Sequence, residues 1–249
     1  MGPVTLALEQ VFKKNFKGYK VPQTYREIEE LLDEYENAGY NATLQSDGKG
    51  FDNTQYQELK DIVDHSIYKV IEDKVHHVSR EHFQVVYEEW RTVDVQYKVD
   101  DEYKSLGRVK IRGKTFSGST DTTLMNTIRM ALYHRYFMEE KLKIKDYHIW
   151  TKGDDVVVFM KKVPYDIELR YFELFTRYSE IGMPEEHGLG QIAKFMKIGD
   201  IEDTDFCSMH IYKTELGFKA TRQYQKIFDN DIWSRKYAYK SPQENNAML

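Results

Sequence analysis

From Thr24 to Ala38 apolar positions recur at helical spacing, with Ile28, Leu31, Leu32 and Tyr35 on one face and Gly39 placed to end the helix. A short strand is expected next, from Ala42 to Gln45. Leu59, Ile62, Val63, Ile67, Val70, Ile71 and Val75 then return to a helical period, and Asp52, Asn53 or Thr54 is available as the cap of that helix. Between Arg91 and Lys114 the pattern alternates, and Asp100-Asp101 and Ser105-Leu106-Gly107 read as turns between short strands. A third helix is predicted from Asp121 to Glu140, with Leu124, Ile128, Ala131 and Leu132 inward. Two apolar runs, Tyr147 to Thr151 and Val156 to Met160, are joined by Lys152-Gly153-Asp154-Asp155, which is a hairpin signal. Ile167 to Ile181 is helical again, Gly182-Met183-Pro184 stops it, and Phe206 to Tyr212 forms a further strand. This order predicts an α+β fold, an antiparallel sheet with helices packed on one face and the acidic turns near one edge.

Composition narrows the picture. The chain has 249 residues, 41% hydrophobic and 31% charged, which is long enough for a substantial core and too apolar for disorder. Lys plus Arg number 36 against 41 Asp plus Glu, so the net charge of −5 does not describe a general polyanion binder, and any nucleic-acid contact must come from a local patch. The single cysteine, Cys207, excludes an intrachain disulfide and a cysteine-built zinc site, and suits a reducing compartment. The longest apolar run, Val156 to Met160, is far short of the ~20 residues a membrane span needs. Met1 to Leu8 lacks the features of a signal peptide.

Three segments carry candidate chemistry. Gly153-Asp154-Asp155 lies at a predicted hairpin tip, where Gly and Asp are also ordinary turn formers. In Ser46-Asp47-Gly48-Lys49-Gly50-Phe51-Asp52 the first acid ends a strand and the second opens a helix, a pattern that a turn and a cap also satisfy. Ser117-Gly118-Ser119-Thr120-Asp121-Thr122-Thr123-Leu124-Met125-Asn126 is a small polar loop running into a helix, with Thr122 and Asn126 four apart on one face. A capped helix with two polar surface residues accounts for it equally well.

Taken together and in this order, Asp-x4-Asp, Ser-Gly-x3-Thr-x3-Asn and Gly-Asp-Asp resemble motifs A, B and C of the RNA-dependent RNA polymerases of positive-strand RNA viruses. Asp205-Phe206-Cys207-Ser208 is similar to the motif E strand at the palm and thumb junction. The flavour is alphavirus-like and tombusvirus-like, carried by Phe51-Asp52-Asn53-Thr54-Gln55 and Asn126-Thr127. The resemblance implies a right-hand polymerase palm plus part of the fingers. It divides the chain into a fingers and palm-entry segment at 1–41, palm at 42–65 and 115–213, a fingers insertion at 66–114 and the start of a truncated thumb at 214–249. Only 46 residues precede Asp47 and 36 follow Lys213, so a piece of a larger replicase is expected.

The implied reaction is template-directed RNA synthesis, in which an RNA 3′-hydroxyl attacks the α-phosphorus of a nucleoside triphosphate. Two divalent ions about 3.5–4 Å apart stabilise the attacking and leaving oxygens of such a displacement. Mg²⁺, with Mn²⁺ as a substitute, prefers a few carboxylates plus substrate phosphates. Asp47, Asp154 and Asp155 are the implied metal ligands and catalytic residues. Carboxylates about 4 Å apart repel by about 4 kcal/mol at an effective dielectric near 20, so their clustering itself demands a cation.

Choosing ribose over deoxyribose needs a donor and an acceptor at the 2′-hydroxyl. Asp52, Asn126 and Thr122 can supply them, and the resemblance implies that Asp52 and Asn126 act with Ser117 while Gly118 lets the adjacent backbone rearrange. Arg108, Lys110, Arg112 and Lys114 alternate with uncharged residues, so a strand projects them from one face, either as a charged edge guard or as a phosphate-facing stripe. Lys152 replaces the aromatic that many relatives carry before Gly-Asp-Asp. Lys194 is the expected general acid for pyrophosphate, with Lys197 and His187 as other candidates.

The implied partners are an RNA template and nascent strand, nucleoside triphosphates and the rest of the replicase polyprotein, with no membrane insertion by this chain. The expected location is the host cytoplasm, in a membrane-associated replication complex anchored by other regions. A non-catalytic RNA-binding or replicase-interaction domain that keeps the fold is the alternative, and a reverse transcriptase a distant third.

Overall fold

A computed structural model describes residues 8–12, 14, 19, 20, 22, 24–55, 57–72, 81, 92–99, 102–110, 115, 122–175 and 189–224. In chain order these form β1 (Tyr19–Lys20), α1 (Tyr25–Asn37), β2 (Ala42–Gly48), α2 (Phe51–Thr54), α3 (Gln57–Lys60), a π-helical turn (Asp61–His65) and α4 (Ser66–Glu72). There follow β3 (Thr92–Val99), β4 (Glu102–Lys110), α5 (Thr122–Tyr136) with a second π turn (Phe137–Lys141), β5 (Tyr147–Lys152), β6 (Asp155–Met160) and α6 (Ile167–Phe175). Last come β7 (Ala193–Asp200), β8 (Asp205–Phe206), β9 (Met209–Thr214) and β10 (Gly217–Arg222). The strands make a five-stranded sheet ordered β1-β5-β6-β2-β7, a three-stranded sheet β10-β9-β8 and a separate hairpin β3-β4.

The period-two alternation of β5 and β6 gives the central sheet two apolar faces. Ile149, Val156, Val158 and Met160, with Leu44 of β2, pack against Met130, Ala131 and Tyr133 of α5 and Tyr171 and Leu174 of α6. Trp150, Val157 and Phe159 point the other way, onto Ile28, Leu31, Leu32 and Tyr35 of α1 and onto Phe206, Ile211 and Phe218 of the small sheet. The α+β class therefore holds, but helices cover both faces rather than one. The reason is that β5 and β6 are apolar on both sides and each side must be buried. Among the described residues no helix is long and apolar enough to cross a membrane.

Helix α1 begins and ends where its sequence directs, with the Thr24 hydroxyl accepting from Glu27 N at 3.1 Å and Gly39 at φ +86° beyond its end. Its polar side fastens the small sheet: Asp33 accepts from Phe218 N at 3.0 Å, and Glu29 accepts from Ala220 N at 3.1 Å and from Lys219 Nζ at 2.9 Å. The acids thereby cover β10, which would otherwise present an open edge.

Other boundaries differ from the sequence pattern. The strand expected at Ala42 to Gln45 runs on to Gly48, because β2 is paired on both sides, by β6 and β7. The long helix expected after Asp52 is interrupted at Gln55, which is extended, and again by the π turn. Gly50, left-handed at φ +59°, takes the cap position, so none of the three polar candidates caps a helix there. Ser105 to Gly107 lies inside β4, where the β3-β4 register shifts, and is not a turn. The run Phe206 to Tyr212 is broken by a turn at Cys207 and Ser208, which separates β8 from β9. The helix expected at Ile167 to Ile181 is described as far as Phe175, and 176–188 lie outside the described residues.

Beneath β2 is a buried polar cluster. His134 faces Met130 O at 2.9 Å through Nδ1 and Ser46 Oγ at 3.3 Å through Nε2, and Tyr171 donates to Ser46 Oγ at 2.5 Å. Burial disfavours the imidazolium and pushes His134 down to about 4. The unfolded chain takes up a proton there below about pH 6.5 while the folded chain does not, so this residue contributes a loss of stability as pH falls from about 6.5 to about 4. Over that window the wild type is expected to lose of order 3 kcal/mol more unfolding free energy than His134→Gln, measured by urea titration at each pH. Parallel curves for the two proteins would contradict a buried neutral imidazole.

Candidate active site

Strands β2 and β6 pair antiparallel with Ser46 opposite Val156, so Asp47 and Asp155 are the next residues along their strands and lie side by side. The alternation that buries Ser46 and Val156 on the α5 side turns both carboxylates to the opposite face. Asp154 sits one residue earlier, in the two-residue turn between β5 and β6. Gly153 opens that turn at φ +65°, a conformation that costs other residues a steric penalty. The turn is tied to α5: Gly153 N donates to Thr127 Oγ1 at 2.8 Å, and that hydroxyl donates onward to Thr123 O at 2.6 Å.

The electrostatics record the convergence. Burial, then the charges of Asp47, Asp155 and Asp52, push the Asp154 carboxyl up to about 6. Acids 107 positions apart in sequence thus share one field. Lys194 of β7 reaches the same rim, its ammonium 2.7 Å from Asp47 Oδ2, and hydrogen bonding to Asp47 together with the surrounding acids raises its pKa. Lys197 is directed elsewhere, donating to Asp203 O at 3.2 Å, and His187 lies outside the described residues.

Asp52 is the second residue of α2, where its carboxylate accepts from Asn126 Nδ2 at 2.6 Å. Asn126 is buried rather than a polar surface residue, which sets aside the bland account of this helix, and its Oδ1 accepts from Arg129 at 2.8 Å. Thr122 opens α5. Ser117, Gly118 and Arg112 lie outside the described residues. Arg108 and Lys110 lie on β4, in the separate β3-β4 hairpin rather than in the central sheet.

Several residues at this rim carry no signal in the local sequence. Arg129 and Asp64 form a buried ion pair beside Asn126. Gln191 holds the loop before β7 against α2, accepting from Thr54 Oγ1 and Gln55 Nε2, each at 2.9 Å. Cys207 lies beside Asp155, and burial followed by the Asp155 charge pushes its thiol up to about 12. It is therefore a neutral neighbour of the rim, leaving the available donors as carboxylate oxygens, the kind a hard divalent cation prefers. Among the described residues no three His, Cys, Asp or Glu side chains form a ready-made cage.

A sheet that is antiparallel except where β1 runs parallel to β5, backed by helices and with acidic strand ends gathered at one rim, is consistent with a polymerase palm-type domain. The family model of viral RNA dependent RNA polymerase matches residues 7–248, nearly the whole length, and the chain belongs to that family. It is accordingly an RNA-dependent nucleotidyltransferase by family, with RNA and nucleoside triphosphates as the substrates that membership implies. Its relatives generally use divalent metal ions. A comparison with curated proteins finds no match.

Thr127 is a direct link between α5 and the Gly-Asp-Asp turn. Thr127→Val removes the acceptor of the Gly153 N–H and is expected to cost about 1–3 kcal/mol in urea unfolding. Nucleotide incorporation should fall at least about tenfold because the turn loses its anchor. Thr127→Ser, which keeps the hydroxyl, should behave as wild type in both assays.

Proposed function

We propose that this chain catalyses template-directed RNA synthesis, adding nucleotides from triphosphates to an RNA 3′-hydroxyl, with Mg²⁺, or Mn²⁺ in its place, bound by Asp47, Asp154 and Asp155. The observation that carries this reading is the β2–β6 ladder, whose register sets Asp47 beside Asp155 at the Gly153-Asp154 turn. A rim of repelling acids beside an ammonium suits a cation that arrives with its substrate. A bound pair of divalent cations supplies charge stabilisation for the oxygens of the attacking and leaving groups.

The protein's own groups do the rest. Asp52 and Asn126, joined through the Asn126 amide, recognise the ribose 2′-hydroxyl, a role in which Ser117, Gly118 and Thr122 take part. Lys194 carries a proton at Nζ beside Asp47 and is placed to hand it to departing pyrophosphate. Arg108, Lys110 and Arg112 serve the phosphates of template or triphosphate. The same reading places the chain with other replicase regions in a cytoplasmic, membrane-anchored replication complex.

Mg²⁺ titration of the melting temperature, read alongside incorporation of labelled nucleotide on a primed RNA, tests the proposal. Mg²⁺ at 100 times its dissociation constant should stabilise the wild type by about 2.7 kcal/mol. Asp154→Asn should lose most of that shift and all measurable incorporation while remaining folded. Undiminished turnover in Asp154→Asn would overturn the assignment, and a wild type that binds RNA without incorporating nucleotide would favour the non-catalytic alternative.

A further inference from the structure

The side chain of Asn126 ends in two different groups, a carbonyl that accepts and an amide that donates, and their order decides what a ligand at Asp52 meets. Arg129 lies three residues on, one turn along α5, and is 1% exposed. Its guanidinium has donors only. Nε donates to Asp64 Oδ1 at 2.9 Å, a second nitrogen pairs with Asp64 Oδ2, and the third donates to Asn126 Oδ1 at 2.8 Å and to Thr115 Oγ1 at 3.1 Å. An Asn126 amide turned the other way would press its N–H groups against those of Arg129. The pair therefore holds the carbonyl inward and the amide nitrogen on Asp52, 2.6 Å from Oδ1.

Asp64 is delivered by the π-helical turn Asp61–His65, where Val63 and Asp64, adjacent in sequence, are both buried. Thr115, whose hydroxyl accepts from Arg129, also donates its backbone N–H to Asp52 O at 3.1 Å. Arg129 thus braces both halves of the Asp52–Asn126 pair.

We infer that Arg129, with Asp64 as its counter-ion, is a positioning residue for ribose selection, setting the amide orientation of Asn126 with which the site reads a 2′-hydroxyl. The inference rests on the proposed role of Asp52 and Asn126 and assigns the residues that make that role possible. Arg129 touches no reacting atom. Its effect is confined to the substrate bearing the hydroxyl.

The test compares kcat/KM for a ribonucleoside triphosphate with that for its 2′-deoxy analogue in the full chain. Arg129→Lys retains the charge opposite Asp64 but cannot span three partners as the planar fork does. The double variant Arg129→Met, Asp64→Leu removes both charges together, which avoids leaving one buried alone. In both, the preference for ribonucleotide is expected to fall about tenfold or more, through the ribonucleotide value alone, approaching that of Asn126→Ala. A residue serving only as a strut would lower both values together and leave their ratio unchanged. If Asn126→Ala loses the preference while folded Arg129 variants keep it, the inference is overturned and the ribose reading stands. If Asn126→Ala keeps the preference, the reading beneath the inference fails.

Discussion

Carboxylates of like charge do not gather on their own, and everything at this rim depends on the backbone pairing that makes Asp47 and Asp155 neighbours. The ladder between β2 and β6 is set by Leu44, Val156 and Val158 on one face and Val157 and Phe159 on the other, and a slip of one residue would exchange the faces. Both faces are buried, so neither strand can shift without exposing a row of apolar side chains. The free energy of two cores thereby holds acids together against their repulsion. Lys194 offsets part of that repulsion at Asp47, and Asp154 keeps the remainder.

Helix α5 connects that charged rim to the interior. Asn126, Thr127, Arg129 and His134 are all buried, and each serves a different neighbour: Asp52, the Gly153 turn, Asp64 and Ser46. A helix enclosed on most sides leaves a narrow solvent face, held here by Thr123, Arg135 and Tyr136. Its polar side chains therefore need specific partners, and those partners belong to the acidic loops.

Much of this was legible in the chain. The period of Ile28, Leu31, Leu32 and Tyr35 predicted α1 within a residue at each end, and the Gly-Asp-Asp hairpin was evident from two apolar runs and a glycine. Asp47 falls at a strand end, Thr122 and Asn126 on a helix and Gly153-Asp154 in a turn, as the pattern predicted, while Ser117 to Asp121 lie outside the described residues. What escaped was tertiary. Arg129 and Asp64 look like ordinary exposed charges, because nothing within a turn of either announces a partner 65 positions away. The Cys207-Ser208 turn adopts left-handed backbone at both residues without a glycine, so no local signal marked it. The double-sided sheet was concealed because a short apolar run does not reveal how many faces it buries.

The π turn before α4 has a consequence for how tolerant this region is to changes in length. A wide turn inserts extra arc into a helix, so the side chains beyond it are offset in phase from those before it. Deleting one residue between Asp61 and His65 would remove that extra arc and shift Asp64 in phase relative to Arg129, in addition to the side chain lost. The segment is thus sensitive to spacing as well as to composition, since a change in its length would leave the Arg129 guanidinium enclosed without its counter-ion.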